Sequence, residues 1–295
     1  MSKVEVKVHE YNIDNKPSIN VKQFSDLHVD ENFDFKKLDK IEEALDSSET
    51  DYVMFTGDML DYTNFLYSNI EVMKKLLKWI RRIASKYKMI IGFGNHDTYK
   101  KSNGGWKEDY CINFINELSN IDGVNLLGFD PCYEDEKVSV VSPFIPFNYY
   151  ANEKRTEDKN VLIDTLKEFK DIIKTMPSNK LKFLILHSPV FVDNNEMLEF
   201  IKYFDFVLSG HMHNGVVPPI LDKLIRNNRG IISPDKSLFP SNARGVKTIE
   251  SDLGNTNLII TGGITKLSTV SHLGVFNNIF PMSVEDIRVN KKVLK

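Results

Sequence analysis

Lys88-Met89-Ile90-Ile91-Gly92-Phe93-Gly94-Asn95-His96-Asp97 is the stretch that decides how this chain is read. Its apolar half has the length of a buried strand, and its glycine-led end delivers an amide oxygen, an imidazole and a carboxylate just beyond that strand. In open α/β sheets this carboxyl edge is where ligands bind. Other apolar runs end in the same way. Ile19 to Phe24 leads to Asp26 and His28, Tyr52 to Thr56 leads to Gly57-Asp58, Leu181 to Leu186 leads to His187, and Phe206 to Ser209 leads to Gly210-His211-Met212-His213. Five of the seven histidines therefore follow apolar runs, where histidines filling a core would not collect, and the pattern points to a metal site.

Helical periodicity fills the intervals between these runs. Phe35, Leu38, Ile41 and Leu45 define one helix, and Leu66, Ile70, Met73, Leu77, Ile80 and Ala84 define a longer one with a solvated basic side. Cys111, Phe114, Ile115 and Leu118 mark another, which makes Cys111 a core thiol; Leu162, Leu166, Phe169, Ile173 and Met176 a further one; and Met197, Leu198, Ile201 and Phe204 a short one. Val4, Val6 and Val8 alternate with polar residues as in a half-exposed edge strand. Val124 to Leu127 and Val138 to Val141, joined by a turn that includes Pro131 and Cys132, read as antiparallel strands of a second sheet, which Leu258 to Thr261 and Val284 to Val289 close. Periodicity is weak from Asn214 to about Asn257, apart from a helical turn near Leu221 to Ile225, so an irregular excursion is expected there, and loops of that length tend to be functional. The whole chain, 1–295, reads as one domain.

Composition narrows the choice of function. Thirty-eight Lys and Arg against 41 Asp and Glu give a net charge of -3, which argues against a general nucleic-acid binder held by a basic field. Only two cysteines are present and no arginine-flanked apolar segment opens the chain, so a reduced cytoplasmic protein is expected. No run approaches the roughly 18 to 20 apolar residues of a membrane span, which leaves peripheral contact with lipid open.

Singly, Asp-x-His or Gly-Asp is weak evidence; the order of all five motifs is not. Asp26-x-His28, Gly57-Asp58, Gly94-Asn95-His96-Asp97, the strand-terminal His187 and Gly210-His211-x-His213 together resemble the calcineurin-like metallophosphoesterases. The resemblance implies an α/β fold, a four-layer α/β/β/α sandwich of two mixed sheets flanked by helices, and two metal ions. By similarity one ion takes Asp26, His28, Asp58 and His213, and the other takes Asp58, Asn95, His187 and His211. Asp58 then bridges the pair, and imidazole with carboxylate suits Mn, Fe, Zn or Ni better than Ca or Mg. Two dications less Asp26, Asp58 and a bridging hydroxide leave about +1 to draw in a phosphate oxygen, and the neutral amide of Asn95 keeps that sum positive.

The implied reaction is attack of the bridging hydroxide on a phosphate ester, most readily a phosphodiester. His96 is the candidate to stabilise the transition state or protonate the leaving oxygen, with Asp97 fixing its tautomer; a structural role in closing the turn competes for both residues. Asp61 would orient a metal-ligating side chain or, preferably, cap a helix N-terminus. His9 reads as a surface residue and His272 as a loop residue. The stretch Phe55 to Asp61 looks like the bacterial branch of broad phosphodiesterases and lipid-headgroup hydrolases, although Asn214-Gly215 replaces the Gly-Gly common after the last histidine. Small-molecule phosphate esters or lipid headgroups are the expected substrates, with Asn214 and Arg244 as candidate contacts. The excursion also carries Arg226, Arg229, Leu221, Leu224, Ile225 and Phe239, which would suit an acidic amphiphile or a solvated loop with one apolar anchor. An interaction scaffold that has kept the fold and a nuclease of the same fold are the alternatives; a scaffold typically loses a ligand, and here all seven candidate ligands and His96 are present.

Overall fold

Strands that are apolar on both faces need cover on both faces, and the chain supplies it with two stacked sheets and outer helices. The computed structural model describes residues 4–103, 105–130, 132–145, 149–150, 163–189, 195–218, 221, 224–225, 228–234, 237–264 and 282–291. The strands are Val4–Ile13 (β1), Ile19–Phe24 (β2), Tyr52–Phe55 (β3), Lys88–Ile91 (β4), Tyr99–Ser102 (β5), Gly105–Glu108 (β6) and Val124–Leu126 (β7). Then follow Cys132–Glu134 (β8), Val138–Val141 (β9), Leu181–Ile185 (β10), Phe206–Ser209 (β11), Gly245–Ser251 (β12), Gly254–Ile260 (β13) and Met282–Lys291 (β14). One sheet has the order β1-β14-β2-β3-β4-β7 and the other β12-β13-β11-β10-β9-β8, with β5 and β6 forming a separate hairpin. Both large sheets are mixed: β2-β3-β4-β7 and β9-β10-β11-β13 are parallel, whereas β14 on β2, β12 on β13 and β8 on β9 are antiparallel.

The alternation of side chains along each strand sorts the core into three layers. Tyr52 and Met54 of β3 point inward, where they join Val21 and Ile90 against Val140, Phe183, Phe206 and Leu208 of the other sheet. Val53 and Phe55 point outward onto helices Lys36–Leu45, Ile70–Ala84 and Ile112–Ser119. On the far face, Leu184 and Val207 pack against Ile163, Leu166, Ile173, Met197 and Ile201. This is the expected helix, sheet, sheet, helix order. Each fully buried side chain of this size contributes about 1.5 to 3 kcal/mol. Because the parallel strands of both sheets end at one edge, the residues that follow β2, β3, β4, β10 and β11 are brought to a common rim. No helix of the described residues is long and apolar enough to cross a membrane.

Several expectations are corrected. Val124–Leu126 extends the first sheet beside β4, because helix Ile112–Ser119 covers the outer face and returns the chain as a parallel crossover. The antiparallel partner of β9 is Cys132–Glu134, which is strand rather than turn; Pro131 lies outside the described residues. β14 enters the first sheet between β1 and β2 instead of closing the second, pairing with β1 from Val4↔Met282 to Ile13↔Lys291. There Lys22 on β2 meets its register partner Asp286 at 2.9 Å, a fully buried pair tied to Ser48. His9 is half-buried and lies 2.7 Å from the buried Glu285, so it is not a surface residue.

The long helix starts at Ile70, itself 54% exposed, after a 3₁₀ turn at Thr63–Tyr67. The helix before β10 is broken at Phe169 into 163–168 and Lys170–Thr175, with Leu162 outside the described residues. The irregular excursion ends at Arg244. Beyond it β12 and β13 form a hairpin whose outer strand is polar and half-exposed, which hid its period in the sequence. Cys111 is a core thiol, as expected.

Asp286→Ala leaves the Lys22 ammonium buried beside hydroxyls alone and is expected to cost about 3 kcal/mol in urea unfolding. Combining it with Lys22→Met should recover most of that loss.

Candidate metal centre

The rim residues are held in an unusual backbone state. Asp26, His28, Asp58, His211 and His213 have φ of 57°, 45°, 59°, 65° and 45°, the left-handed region that costs a non-glycine residue on the order of 1 kcal/mol each. Such strain persists only where surrounding bonds over-determine it. Here Asp26 N donates to Gly57 O at 3.0 Å, His28 N to Asp58 O at 3.1 Å, and Gly210 N to His187 O at 2.9 Å, lacing the loops after β2, β3, β10 and β11 together. Gly94 has no Cβ because the Asp58 carboxylate occupies the space where one would lie. The sharp turns aim the side chains back over the strand ends.

They converge as two groups, beside which His28 also meets Asp61 and His96 in a third. Asp26, His28 and His213 form one, and Asp58, His187 and His211 the other, with the ligand atoms of each group within 4.8 Å of one another. Asp26 Oδ1 stands 3.7 Å from His28 Nε2 and 3.7 Å from His213 Nε2. Asp58 Oδ2 lies 3.1 Å from His187 Nε2 in its own group and 3.6 Å from His28 Nε2 in the other. One carboxylate oxygen therefore faces both groups, the position of a bridge. His187 Nδ1 donates to Thr56 O at 2.7 Å, and a carbonyl can only accept, so Nε2 carries the lone pair. His28 is oriented likewise by Asp61 Oδ1, 3.5 Å from its Nδ1.

These residues fit divalent metal ions. His28 Nε2, Asp58 Oδ2, Asn95 Oδ1 and His187 Nε2 are buried and make no hydrogen bond among the described residues. An unsatisfied buried polar atom costs about 1 to 3 kcal/mol, and four clustered acceptor-type atoms are what a pair of cations would satisfy.

Electrostatics supports the fit. Burial pushes the Asp26 and Asp58 carboxyls up, but the surrounding imidazoles outweigh it and hold both well below the usual carboxylate range. Conversely, burial pushes His28 and His187 down, yet the carboxylates outweigh it: Asp26 and Asp61 hold His28 at about 10, and Asp58 holds His187 at about 9. Protons thus stand where cationic charge is called for. His96 goes the other way, burial taking it to about 4 against partial opposition from Asp58.

The remaining candidates differ from expectation. Asp97 does not orient His96; its carboxylate accepts from the backbone N–H of Asp58, Gly94 and Leu60 at 2.9, 2.9 and 3.0 Å, clamping two ligand loops together. Burial and the nearby Asp58 raise it to about 6 against those bonds. His96 Nδ1 lies 2.8 Å from Asp61 O, and its ring meets that of His28 edge-on at 4.3 Å. With a side chain 24% exposed it is more open to solvent than His28, His187 and His213.

Asp61 caps no helix; it faces His28, His96 at 3.7 Å and Lys101 at 3.0 Å, because the short helix that follows begins after Tyr62. Arg244, expected as a substrate contact, is buried and donates to the carbonyls of Arg229 and Ile225 at 3.0 Å each, so it braces the excursion. Asn214, with φ 59°, follows His213 and packs beside Gly262. Arg226 and His272 lie outside the described residues. Sequence reasoning missed Tyr99, whose hydroxyl is 2.8 Å from His96 Nε2, and Tyr150, 5.8 Å from the His211 ring. Tyr99 ends the 3₁₀ turn that begins at His96, and that three-residue spacing was the available signal.

Metal-free protein titrated with Mn²⁺ is expected to bind more tightly as pH rises toward about 9. Below their raised values His28 and His187 hold protons that must leave before either nitrogen can ligate. Calorimetry at pH 6.5 and 8 in buffers of different ionisation heat reads both the affinity and the protons released; binding that releases none contradicts this placement. Asp97→Ala orphans three buried N–H groups and is expected to lower stability by about 2 to 4 kcal/mol, read by thermal melting.

Comparison with known proteins places the arrangement. Residues 19–215 match the family model described as Calcineurin-like phosphoesterase. A protein of Aquifex aeolicus (strain VF5) named as an uncharacterized metallophosphoesterase is 22% identical over 251 residues, covering 81% of this chain and 84% of its own. Among solved structures, a phosphopantetheinyl hydrolase from Mycobacterium tuberculosis is similar at 14% identity over 85% of this chain and 92% of that one, with a TM-score of 0.41. A dimetal phosphatase from Danio rerio is similar at 10% identity over 84% and 88%, with a TM-score of 0.47. Since the matched span runs from β2 to just past His213 and holds every residue of both ligand groups, the chain belongs to the calcineurin-like phosphoesterase family, whose members are phosphoric ester hydrolases that typically bind two metal ions.

Proposed function

We propose that this protein is a dinuclear metallophosphoesterase that hydrolyses phosphodiesters, with Asp26, His28, Asp58 and His213 holding one ion and Asp58, Asn95, His187 and His211 the other. The observation that carries the reading is Asp58 Oδ2, a buried oxygen that makes no hydrogen bond and faces imidazole nitrogens of both groups. Nitrogen and oxygen donors in this mixture favour Mn, Fe, Zn or Ni. When bound, two such ions would polarise the phosphate and lower the pKa of water toward neutrality.

The chain's own residues do the rest. Asp61 and the Thr56 carbonyl fix the imidazoles of His28 and His187, while Asp97 fixes the loops that carry Asp58 and Asn95. His96, anchored at Nδ1 by the Asp61 carbonyl, has the Tyr99 hydroxyl 2.8 Å from its Nε2, a contact that substrate would replace. Being neutral on its own, it takes up a proton at Nε2 when phosphate oxygens bring negative charge beside it, and hands that proton to the departing oxygen. Asn214, which follows His213, would stand beside the organic part of the substrate.

Asp58→Ala is expected to lose both metals and all hydrolysis, whereas His96→Ala keeps the metals and loses about 10² to 10⁴ in kcat. Metal analysis beside turnover of bis(p-nitrophenyl) phosphate and p-nitrophenyl phosphate checks both variants and the diester preference. A metal-replete Asp58→Ala protein removes the bridge, and equal turnover of the two esters removes the preference.

A further inference from the structure

We propose that Phe93, Tyr110, Phe129 and Phe144 form a stacking subsite beside the metal centre that selects phosphoesters carrying a flat aromatic group; the inference rests on the phosphoesterase reading above. The four rings make one continuous cluster. Phe129 and Phe144 stack at 5.3 Å and 17°, Phe93 meets them edge-on at 5.7 and 6.2 Å, and Tyr110 closes the group at 6.1 and 5.6 Å. None of the four belongs to the three buried apolar clusters, although Phe93 also lines a small cavity with Met59, Leu60, Cys111 and Phe114, so the cluster is rooted in the core at Phe93 and reaches solvent at Phe129.

Their position ties them to the site. Phe93 lies two residues before Asn95, beyond the end of β4; Phe129 follows β7, and Phe144 follows β9. All three leave their strands at the carboxyl edge that carries the metal ligands. Gly92 lies against Ser142 across the seam between the sheets, which sets Phe93 and Phe144 side by side. The backbone is bent to complete the arrangement: Gly128 adopts φ +132°, where a side chain is rarely tolerated, and a Cβ there would strike the Phe93 ring. This turn lays Phe129 on Phe144.

Phe129 is nonetheless 60% exposed. A ring fixed by a stacked partner on one face and left open to water on the other is preorganised to accept a further ring. Offset stacking and edge-to-face contacts reward a planar aromatic group more than an alkyl chain of similar area. The cluster contains no charged side chain, and the Tyr110 hydroxyl is engaged by Glu108, so shape and stacking govern the choice here. A phosphate held by the metals would thus extend an aryl or nucleobase-like arm over Phe129.

The test uses hydrolytically inert probes on the manganese-loaded full chain: phenylphosphonate and methylphosphonate, each titrated calorimetrically. Phenylphosphonate is expected to bind at least fivefold more tightly, and Phe129→Leu and Phe144→Leu, each confirmed folded by its melting curve, are expected to bring that ratio below twofold. Trp106→Leu, an exposed aromatic on the β5–β6 hairpin, should leave the ratio at its original value. Equal binding of the two probes, or a ratio that Trp106→Leu lowers and the phenylalanine variants do not, overturns the subsite while leaving the phosphoesterase reading standing. Failure of the metal-loaded protein to bind either phosphonate overturns both.

Discussion

The structure depends on one electrostatic constraint: two carboxylates, Asp26 and Asp58, are buried within a few ångströms of the same imidazoles. Unpaired, buried carboxylates would take up protons; instead His28 and His187 carry the protons and both acids stay ionised. The balance rests on those protons, since without them nitrogen and oxygen lone pairs would face one another. Divalent cations would take the place of those protons, which would tie metal binding at this site to pH.

Holding the centre together is the work of the backbone. Five ligands sit in left-handed conformations that no propensity would choose, kept there by cross-loop hydrogen bonds and by the Asp97 clamp. The two-sheet sandwich makes this affordable: its large apolar layers offset local strain, and its parallel strands deliver their ends to one rim. Even β14, far from the rim, belongs to this frame. Its buried acids pair with Lys22 and His9 and lock it beside the strand that carries Asp26.

Rim residues divide by what they answer to. Those of the two groups face one another as clusters able to hold metal ions and fall within the span matched by the family model. The aromatic cluster runs from Phe93, which reaches the core, to Phe129, which a strained glycine turns out toward solvent. Arg244 is the opposite case, a charge that looked available in the sequence and is committed to two carbonyls.

The chain by itself picked out the polar residues that gather at the strand ends. An apolar run followed by glycine and polar residues is a local pattern, so Asp26, His28, Asp58, Asn95, His187, His211 and His213 were legible without coordinates, as were the helices between them. Tertiary structure decided everything that depends on pairing at a distance. Whether Val124–Leu126 and Met282–Lys291 join the first sheet or the second is invisible to a period of two, because both sheets present the same alternation and only register, helix cover and the Lys22–Asp286 pair distinguish them. The same holds for Asp61 and Asp97. Their residue types announced a cap and a tautomer partner, but a carboxylate takes the donors that folding brings within reach, and here those are an imidazole with a lysine and three backbone N–H groups.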